Sequence, residues 1–431
     1  MRVSVIGAGL AGCEAAFQLA ERGVLVTLYE MKPGRKSAAH KSDDFCELVC
    51  SNSFRGARLQ NAPGLLKEEM RRLNSLVMRC ADASSVPAGG ALAVDRDKFA
   101  GLVTHAVRAH PGITVVQEEI TALPQPPAIV ATGPLTDGPL LEAMEQLLGG
   151  GLHFYDAAAP IVTRESLNMD RVFRASRYDR GSDYLNCAMT REEYFTFVRA
   201  LVEAETAPLH AFETPNVFEG CMPVEVMAKR GDMTLAFGPL KPVGLRDERM
   251  AGRPFAVVQL RQDNQEDTLY NIVGFQTNLK FAEQRRVFGL IPGLENAEYV
   301  RYGVMHRNTF IDSPGKLGWD YQCLNQEGLY FAGQMTGVEG YVESAASGLA
   351  AGIALARALQ GKPKVDFTQK TAMGALAHYI SGYAGKDFQP MNVNFGIVAP
   401  LENPPRNKLA RYDAVAQRSL ALLDEIMLSQ L

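Results

Sequence analysis

Apolar positions at the start of the chain fall first into a β-branched run, Val3 to Ile6, which breaks at once into Gly7-Ala8-Gly9-Leu10-Ala11-Gly12. From Leu10 to Glu21 they take helical spacing. Gly23 stops that helix, and a second apolar run from Val24 to Tyr29 closes on Glu30. Strand, glycine turn, helix and strand in this order predict the opening of a doubly wound sheet. Further on, Asp97 to Ala109 reads as a helix, and Ile113 to Gln117 and Ala128 to Gly133 read as strands. Pro134, Pro139 and Gly149-Gly150-Gly151 then mark a boundary. The stretch from about 152 to 300 is richer in aromatics and arginine and carries alternating segments, Phe255 to Leu260 and Leu269 to Phe275. Gly328 to Gln334 is again a strand ending in glycine, Ser344 to Leu359 a small-residue helix, and Lys408 to Leu431 an amphipathic helix. The expected fold class is α/β: a Rossmann-like domain of residues 1–150 and 300–431, interrupted by a smaller mixed α+β domain at 151–299.

Composition changes this picture little. A chain of 431 residues, 47% hydrophobic and 21% charged, has the make-up of ordinary globular domains. No tract of about 18 uninterrupted apolar residues suggests a membrane-spanning helix. The apolar N-terminus breaks into glycines too early for a signal peptide, so a strand is the better reading. Seven cysteines without framework spacing point to reduced thiols and a cytoplasmic protein. At a net charge of -4, any nucleic-acid site must be a local basic patch.

The glycine turn has a definite chemistry. One glycine makes the turn, one lets backbone approach a pyrophosphate, and one lets the helix pack on the strand, while the helix N-terminal amides hold phosphate. Gly7, Ala8, Gly9, Leu10, Ala11 and Gly12 are thus candidate phosphate ligands, and Glu30 a candidate acceptor for a ribose hydroxyl. Two distant segments point to FAD rather than NAD or S-adenosylmethionine. Ala131-Thr132-Gly133 and Ala332-Gly333-Gln334 resemble the strand ends of the glutathione-reductase-like flavoproteins, with Gln334 where an acid is usual. No second glycine fingerprint follows, so a nicotinamide cofactor would visit the flavin face only transiently.

Cys50, in Glu47-Leu48-Val49-Cys50-Ser51-Asn52-Ser53, and Cys221, in Glu219-Gly220-Cys221-Met222-Pro223, sit in turn-prone contexts. A thiol at its ordinary pKa near 8.5 is only a few per cent thiolate at neutral pH, so a working one needs cations or amides around it. Cys13, Cys46, Cys80, Cys187 and Cys323 read as small hydrophobes. Cys46 and Cys50 are four apart with no second pair at ligand spacing, so no metal is expected.

The segments VIGAGLAGCEAA, FCELVCSNSFRG, VFEGCMPVEVMAKRG, RNTFIDSP and FAGQMTGVEGYVESAASG closely resemble the folate- and FAD-dependent tRNA (uracil-5-)-methyltransferases, over nearly the whole chain. The larger flavoproteins that modify wobble uridines are also similar, but their long C-terminal helical domain has no room here. The resemblance implies 5-methyluridine formation in the tRNA T-loop, at tRNA position 54. Methylenetetrahydrofolate supplies the carbon through N5 of the reduced flavin, and NADH or NADPH supplies the electrons. It implies that Cys221 adds to uracil C6 and that Cys50 acts as acid or base at C5. His306 is placed to stack on a pterin, Arg307 to meet a folate carboxylate, and Tyr341 and Glu343 to contact ring or substrate. Arg171, Arg174, Arg177 and Arg180, three apart with Phe173 and Tyr178 between, form a candidate clamp for the T-arm. The target base must be flipped out of the folded tRNA. Two other readings stand beside this one: an FAD oxidoreductase acting on a small metabolite, and a non-enzymatic, flavin-stabilised RNA-binding module.

Overall fold

A computed structural model describes residues 2–37, 39–149, 151–179, 181–207, 222–250, 252–385 and 388–430. Five parallel strands form the central sheet in the order Leu329–Phe331, Ala128–Val130, Arg2–Ile6, Leu25–Glu30, Ile113–Gln117. Four of them read as short apolar runs because helices cover the sheet and bury its strands, while the edge strand Ile113–Gln117 buries only Ile113. Val3, Val5, Val26, Leu28 and Ile129 are fully buried. The first helix, Leu10–Glu21, leaves the glycine turn, and the helix Tyr341–Leu359 packs directly along it. Small residues are required at that crossing. A Cβ on Gly348 would stand 2.1 Å from the Ala11 carbonyl oxygen, and one on Gly352 2.9 Å from that of Ala15.

A second, six-stranded antiparallel sheet runs Val172–Ala175, Tyr184–Met189, Ala256–Gln262, Leu269–Ile272, Ile161–Thr163, Tyr299–Arg301. Helices Arg191–Glu203, Val224–Lys229 and Phe281–Phe288 pack on it around a core of its own, which includes Phe197, Leu260, Phe275 and Phe288. The first of these helices opens with a reciprocal cap: Thr190 Oγ1 accepts from the Glu193 N–H and Glu193 Oε2 from the Thr190 N–H. Strands Gly151–Ala157 and Met305–Ile311 pair with each other, antiparallel, as a separate two-stranded sheet. The fold is α/β, Rossmann-like, and interrupted by a mixed α+β unit.

Element ends differ from the sequence expectation in small ways with evident causes. The helix at Asp97 begins one residue earlier, at Arg96, because the Asp95 carboxylate caps it by accepting from the Lys98 N–H at 2.9 Å. The small-residue helix begins at Tyr341 rather than Ser344, since Gly340 at φ 115° supplies the turn that enters it. A three-stranded sheet of Ser53–Gly56, Ala91–Val94 and Ser85–Val86 had no clear alternation to betray it. Cys13, Cys46, Cys80, Cys187 and Cys323 are buried.

Candidate functional site

A groove of about 890 Å³ opens across the carboxyl ends of the parallel strands. Its floor is Gly7 to Ala11, and Glu30, Ala131 to Pro134, Gly333 and Gln334 line it further along, with Tyr341 and Ser344 at the far end. Gly7 stands at φ 96°, and a Cβ there would lie 2.6 Å from the Ala131 carbonyl oxygen. A Cβ on Gly12 would lie 1.8 Å from the Gly7 carbonyl oxygen. At Gly9, by contrast, a Cβ would meet nothing within 4 Å. Two glycines therefore serve the chain's own packing, and the third faces open space where a diphosphate fits. Gly9 caps the first helix without a side-chain acceptor, leaving first-turn amides for an anion. Glu30 accepts the Ala8 N–H at 2.7 Å and the Lys32 N–H at 3.0 Å, which fixes its carboxylate at the groove with lone pairs to spare for a hydroxyl. The residues present fit a dinucleotide.

At the far end a second helix N-terminus, again without a side-chain cap, meets the groove. The Ser347 hydroxyl oxygen accepts the Gly333 N–H at 2.7 Å and so ties the Ala332-Gly333-Gln334 turn to that helix. The side chain of Gln334 donates to Glu339 Oε2 at 2.6 Å, which places an acid behind the amide.

The Cys50 loop is anchored to this helix. The Tyr341 hydroxyl oxygen accepts the N–H groups of Cys50, at 2.8 Å, and Ser51, at 3.2 Å. Burial, then the nearby Cys50, push the Tyr341 phenol well up, so it stays protonated. Tyr341, expected to contact ring or substrate, lines the groove and also holds the thiol loop. Asn52, fully buried, donates to the carbonyls of Val94 and Gln262 at 2.9 and 3.0 Å and accepts from Arg261 Nε at 2.9 Å. The same guanidinium donates to Ser51 Oγ at 2.8 Å. Arg96, paired with Asp263 at 2.9 Å, donates to the Leu48 carbonyl. Burial lowers Arg261 and Arg301, while Cys50 acts electrostatically to raise both, as it does Arg96. Three guanidiniums from three elements therefore act electrostatically on one partly exposed thiol. None carries a sequence signature, because their positions converge only in the fold.

Behind the loop, Lys67 is fully buried and donates to the carbonyls of Phe54 and Gly56 at 2.7 and 2.8 Å. Burial brings its pKa down to about 7. Glu343, also fully buried, pairs with Arg55 at 3.1 Å and accepts the Val393 N–H at 3.0 Å, and burial raises its carboxyl. It holds the chain together rather than facing the groove.

Cys221 lies outside the described residues, but both flanks of its segment are placed. The Ala207 N–H donates to the Asn278 carbonyl at 2.7 Å, and the Val224 N–H to that of Gln276 at 2.7 Å. Glu225 accepts from Thr277 Oγ1 and the Asn278 N–H, both at 2.8 Å. The backbone of His306 and Arg307 runs in the strand Met305–Ile311, whose Thr309 N–H bonds the Pro134 carbonyl at the groove. Their side chains lie outside the described residues, as does Arg180. The remaining arginines of the three-residue series do not make one face. Arg171 pairs with Glu193 at 2.9 Å and Arg174 with Asp267 at 2.8 Å, while Arg177 is half-buried and donates to the Pro239 carbonyl at 2.7 Å. The segment is short turns around a strand, not a helix, so its three-residue spacing does not align side chains. Among the described residues no group of three or more His, Cys, Asp or Glu is arranged to hold a metal ion.

Residues 2–363 match the family described as Glucose inhibited division protein A. The chain is 60% identical over 420 residues to the methylenetetrahydrofolate--tRNA-(uracil-5-)-methyltransferase of Halalkalibacterium halodurans, covering 97% of each chain. It is 59% identical to the protein of the same description from Anoxybacillus flavithermus, covering 99% of each. Among solved structures, that of Aquifex aeolicus GidA superposes with a TM-score of 0.71 at 16% identity, over 99% of this chain and 73% of that one, a likeness of fold.

Proposed function

The chain belongs to the Glucose inhibited division protein A family and, within it, stands with the methylenetetrahydrofolate--tRNA-(uracil-5-)-methyltransferases, and on that premise we propose how its own residues methylate uracil C5 in tRNA. The enzyme takes its carbon from methylenetetrahydrofolate, holds FAD as cofactor, and makes 5-methyluridine in the T-loop, at position 54. NADH or NADPH is the reductant. FAD, when bound, supplies the redox and one-carbon transfer chemistry that no amino-acid side chain offers. Gly7 to Gly12 and Glu30 would hold its adenosine diphosphate half, and Gly333, Gln334 and the N-terminus of the helix Tyr341–Leu359 its ring end. Residues 1–150 and 300–431 make up that FAD domain, and 151–299 the inserted one.

Uracil C5 becomes nucleophilic only after a nucleophile adds at C6. In our reading the Cys221 thiolate forms a C6–S bond, and its electron pair moves into the enolate at C5 and O4. C5 then bonds the one-carbon unit, which is still joined to its carrier nitrogen. Cys50, as thiolate, takes the proton from C5, and the resulting electron pair expels the carrier amine, which takes up that proton, to leave a methylene on C5. Hydride at the expense of NAD(P)H, which FAD would relay, adds to that methylene. The electron pair then returned to C5 breaks the C6–S bond and restores the Cys221 thiolate. Arg96, Arg261 and Arg301 favour the charged form of Cys50 that such a base requires. His306 and Arg307 are proposed to receive the pterin and the glutamate carboxylate of the folate, on the strand that Pro134 ties to the groove.

The observation that carries this reading is the Tyr341 hydroxyl, which fixes the Cys50 loop at the ring end of the dinucleotide groove. A thiol held there has no structural task in a plain oxidoreductase. Incubating the protein with unmodified tRNA, methylenetetrahydrofolate and NAD(P)H, followed by nucleoside analysis, is expected to give 5-methyluridine. S-adenosylmethionine alone is expected to give none; methylation with it in folate-free protein would sink the reading.

A further inference from the structure

Phe281, Tyr302 and Tyr299 form a column of rings on the second sheet. Tyr302 lies in the middle, 4.4 Å and 17° from Phe281 and 5.0 Å and 9° from Tyr299. The column runs from the edge of the second core, against which Tyr299 packs, out to the surface. Phe281 closes one end with 50% of its surface exposed, at the first position of the helix Phe281–Phe288. Arg285 lies over Tyr302, 5.3 Å from the ring centre, and donates to its hydroxyl. Arg285, beside the column, has no ion-pair partner among the described residues. Gly303 pins the strand beneath: its N–H and carbonyl both bond the Gln284 side chain at 2.8 Å.

The elements that carry the column are linked to the described flanks of the Cys221 segment and, through charge, to Cys50. Gln276 and Asn278, three to five residues before Phe281, bind the two flanks of the Cys221 segment. Arg301, next to Tyr302, acts electrostatically on Cys50, Tyr341 and Arg96. An exposed ring at the end of a stacked column, with the Arg285 guanidinium beside it, is the surface that accepts the face of an unpaired base. We propose that Phe281, backed by Tyr302 and Tyr299, is a stacking platform for an unpaired base of the RNA substrate, beside the base that is methylated. The platform rests on the tRNA-methylating reading and adds to it a contact that is aromatic, not ionic.

The test is tRNA binding and methylation by ring-series variants of the FAD-loaded protein. Phe281→Ala and Phe281→Leu are each expected to weaken tRNA binding about tenfold, the effect of losing one stacked base. Because stacking releases no counterions, neither variant should change the slope of log K against log salt, whereas Arg285→Ala should reduce it by about one. Phe281→Trp should keep the affinity, and the introduced indole should be quenched by tRNA, read against Trp319, the chain's single tryptophan. FAD absorbance and the unfolding midpoint check that each variant is folded. Wild-type affinity in Phe281→Leu, or an unquenched indole in a tRNA-bound Phe281→Trp, would overturn the platform. Wild-type protein assayed on the same tRNA separates the two ideas: if it makes no 5-methyluridine, the parent reading fails, and if it does, only the platform is at stake.

Discussion

At the scale of single residues, the proposed chemistry rests on two thiols, and one buried lysine carries a separate test. Cys221→Ala is expected to lose methylation and any covalent adduct with 5-fluorouridine-containing tRNA. Cys50→Ala should lose at least about a hundredfold in rate, the ordinary share of a general base, yet still form and keep the adduct. An adduct on a denaturing gel from Cys221→Ala, but not from Cys50→Ala, would reverse the two roles. Lys67 gives a pH signature. Its folded pKa of about 7 lies below its unfolded value of 10.5, so between the two the unfolded chain binds more proton. Unfolding free energy therefore gains from rising pH in that window, and Lys67→Met should lack this gain. Denaturant curves of both proteins at pH 7 and 8.5 measure it, and parallel pH dependence would exclude Lys67 as the cause. The sequence singles out the two thiols because they stand in distinctive turn-borne segments. It does not single out Lys67, Arg261 and Arg301, since a buried charge is recognisable only once its partners are in place.

Elements show why glycines in one motif are not equivalent. Gly9 faces empty groove, whereas Gly12 and Gly348 bring backbone against backbone. Gly9→Val should lose FAD colour while the apoprotein keeps its unfolding midpoint. Gly348→Val should lose both, since a side chain there must push the helix Tyr341–Leu359 off the first helix, an overpacking cost of about 1–3 kcal/mol or more. FAD absorbance alongside urea denaturation separates them, and equal destabilisation by both would contradict the geometry. The glycine turn, its flanking strands and the small-residue helix were all readable, because each uses a residue type that little else explains. The arginine series was misleading for the opposite reason: three-residue spacing means a shared face only on a helix, and Val172–Ala175 is a strand.

For the whole molecule, the informative link is the buried Arg261–Asn52 contact, which joins the second sheet to the thiol loop of the first unit. Arg261→Met leaves Asn52 Oδ1 without its donor at a cost of about 1–3 kcal/mol, and it removes a cation from beside Cys50. Alkylation of Cys50 by iodoacetamide at pH 7 should slow several-fold in that variant at unchanged FAD content; an unchanged rate would show that the charge does not act on the thiol. Such a link between units was invisible in periodicity, which reports each element's own buried face and nothing of what two sheets share. The strand order has a further consequence, for the chain as it is being made. Leu329–Phe331 pairs with Ala128–Val130, so one edge of the parallel sheet lacks its neighbour until about 200 more residues have left the ribosome. At roughly 5–20 residues per second, that is an interval on the order of ten seconds or more. During it the second sheet, contiguous in sequence, is free to fold first. Stalled nascent chains that end before Leu329 should therefore capture no flavin, however complete their glycine turn.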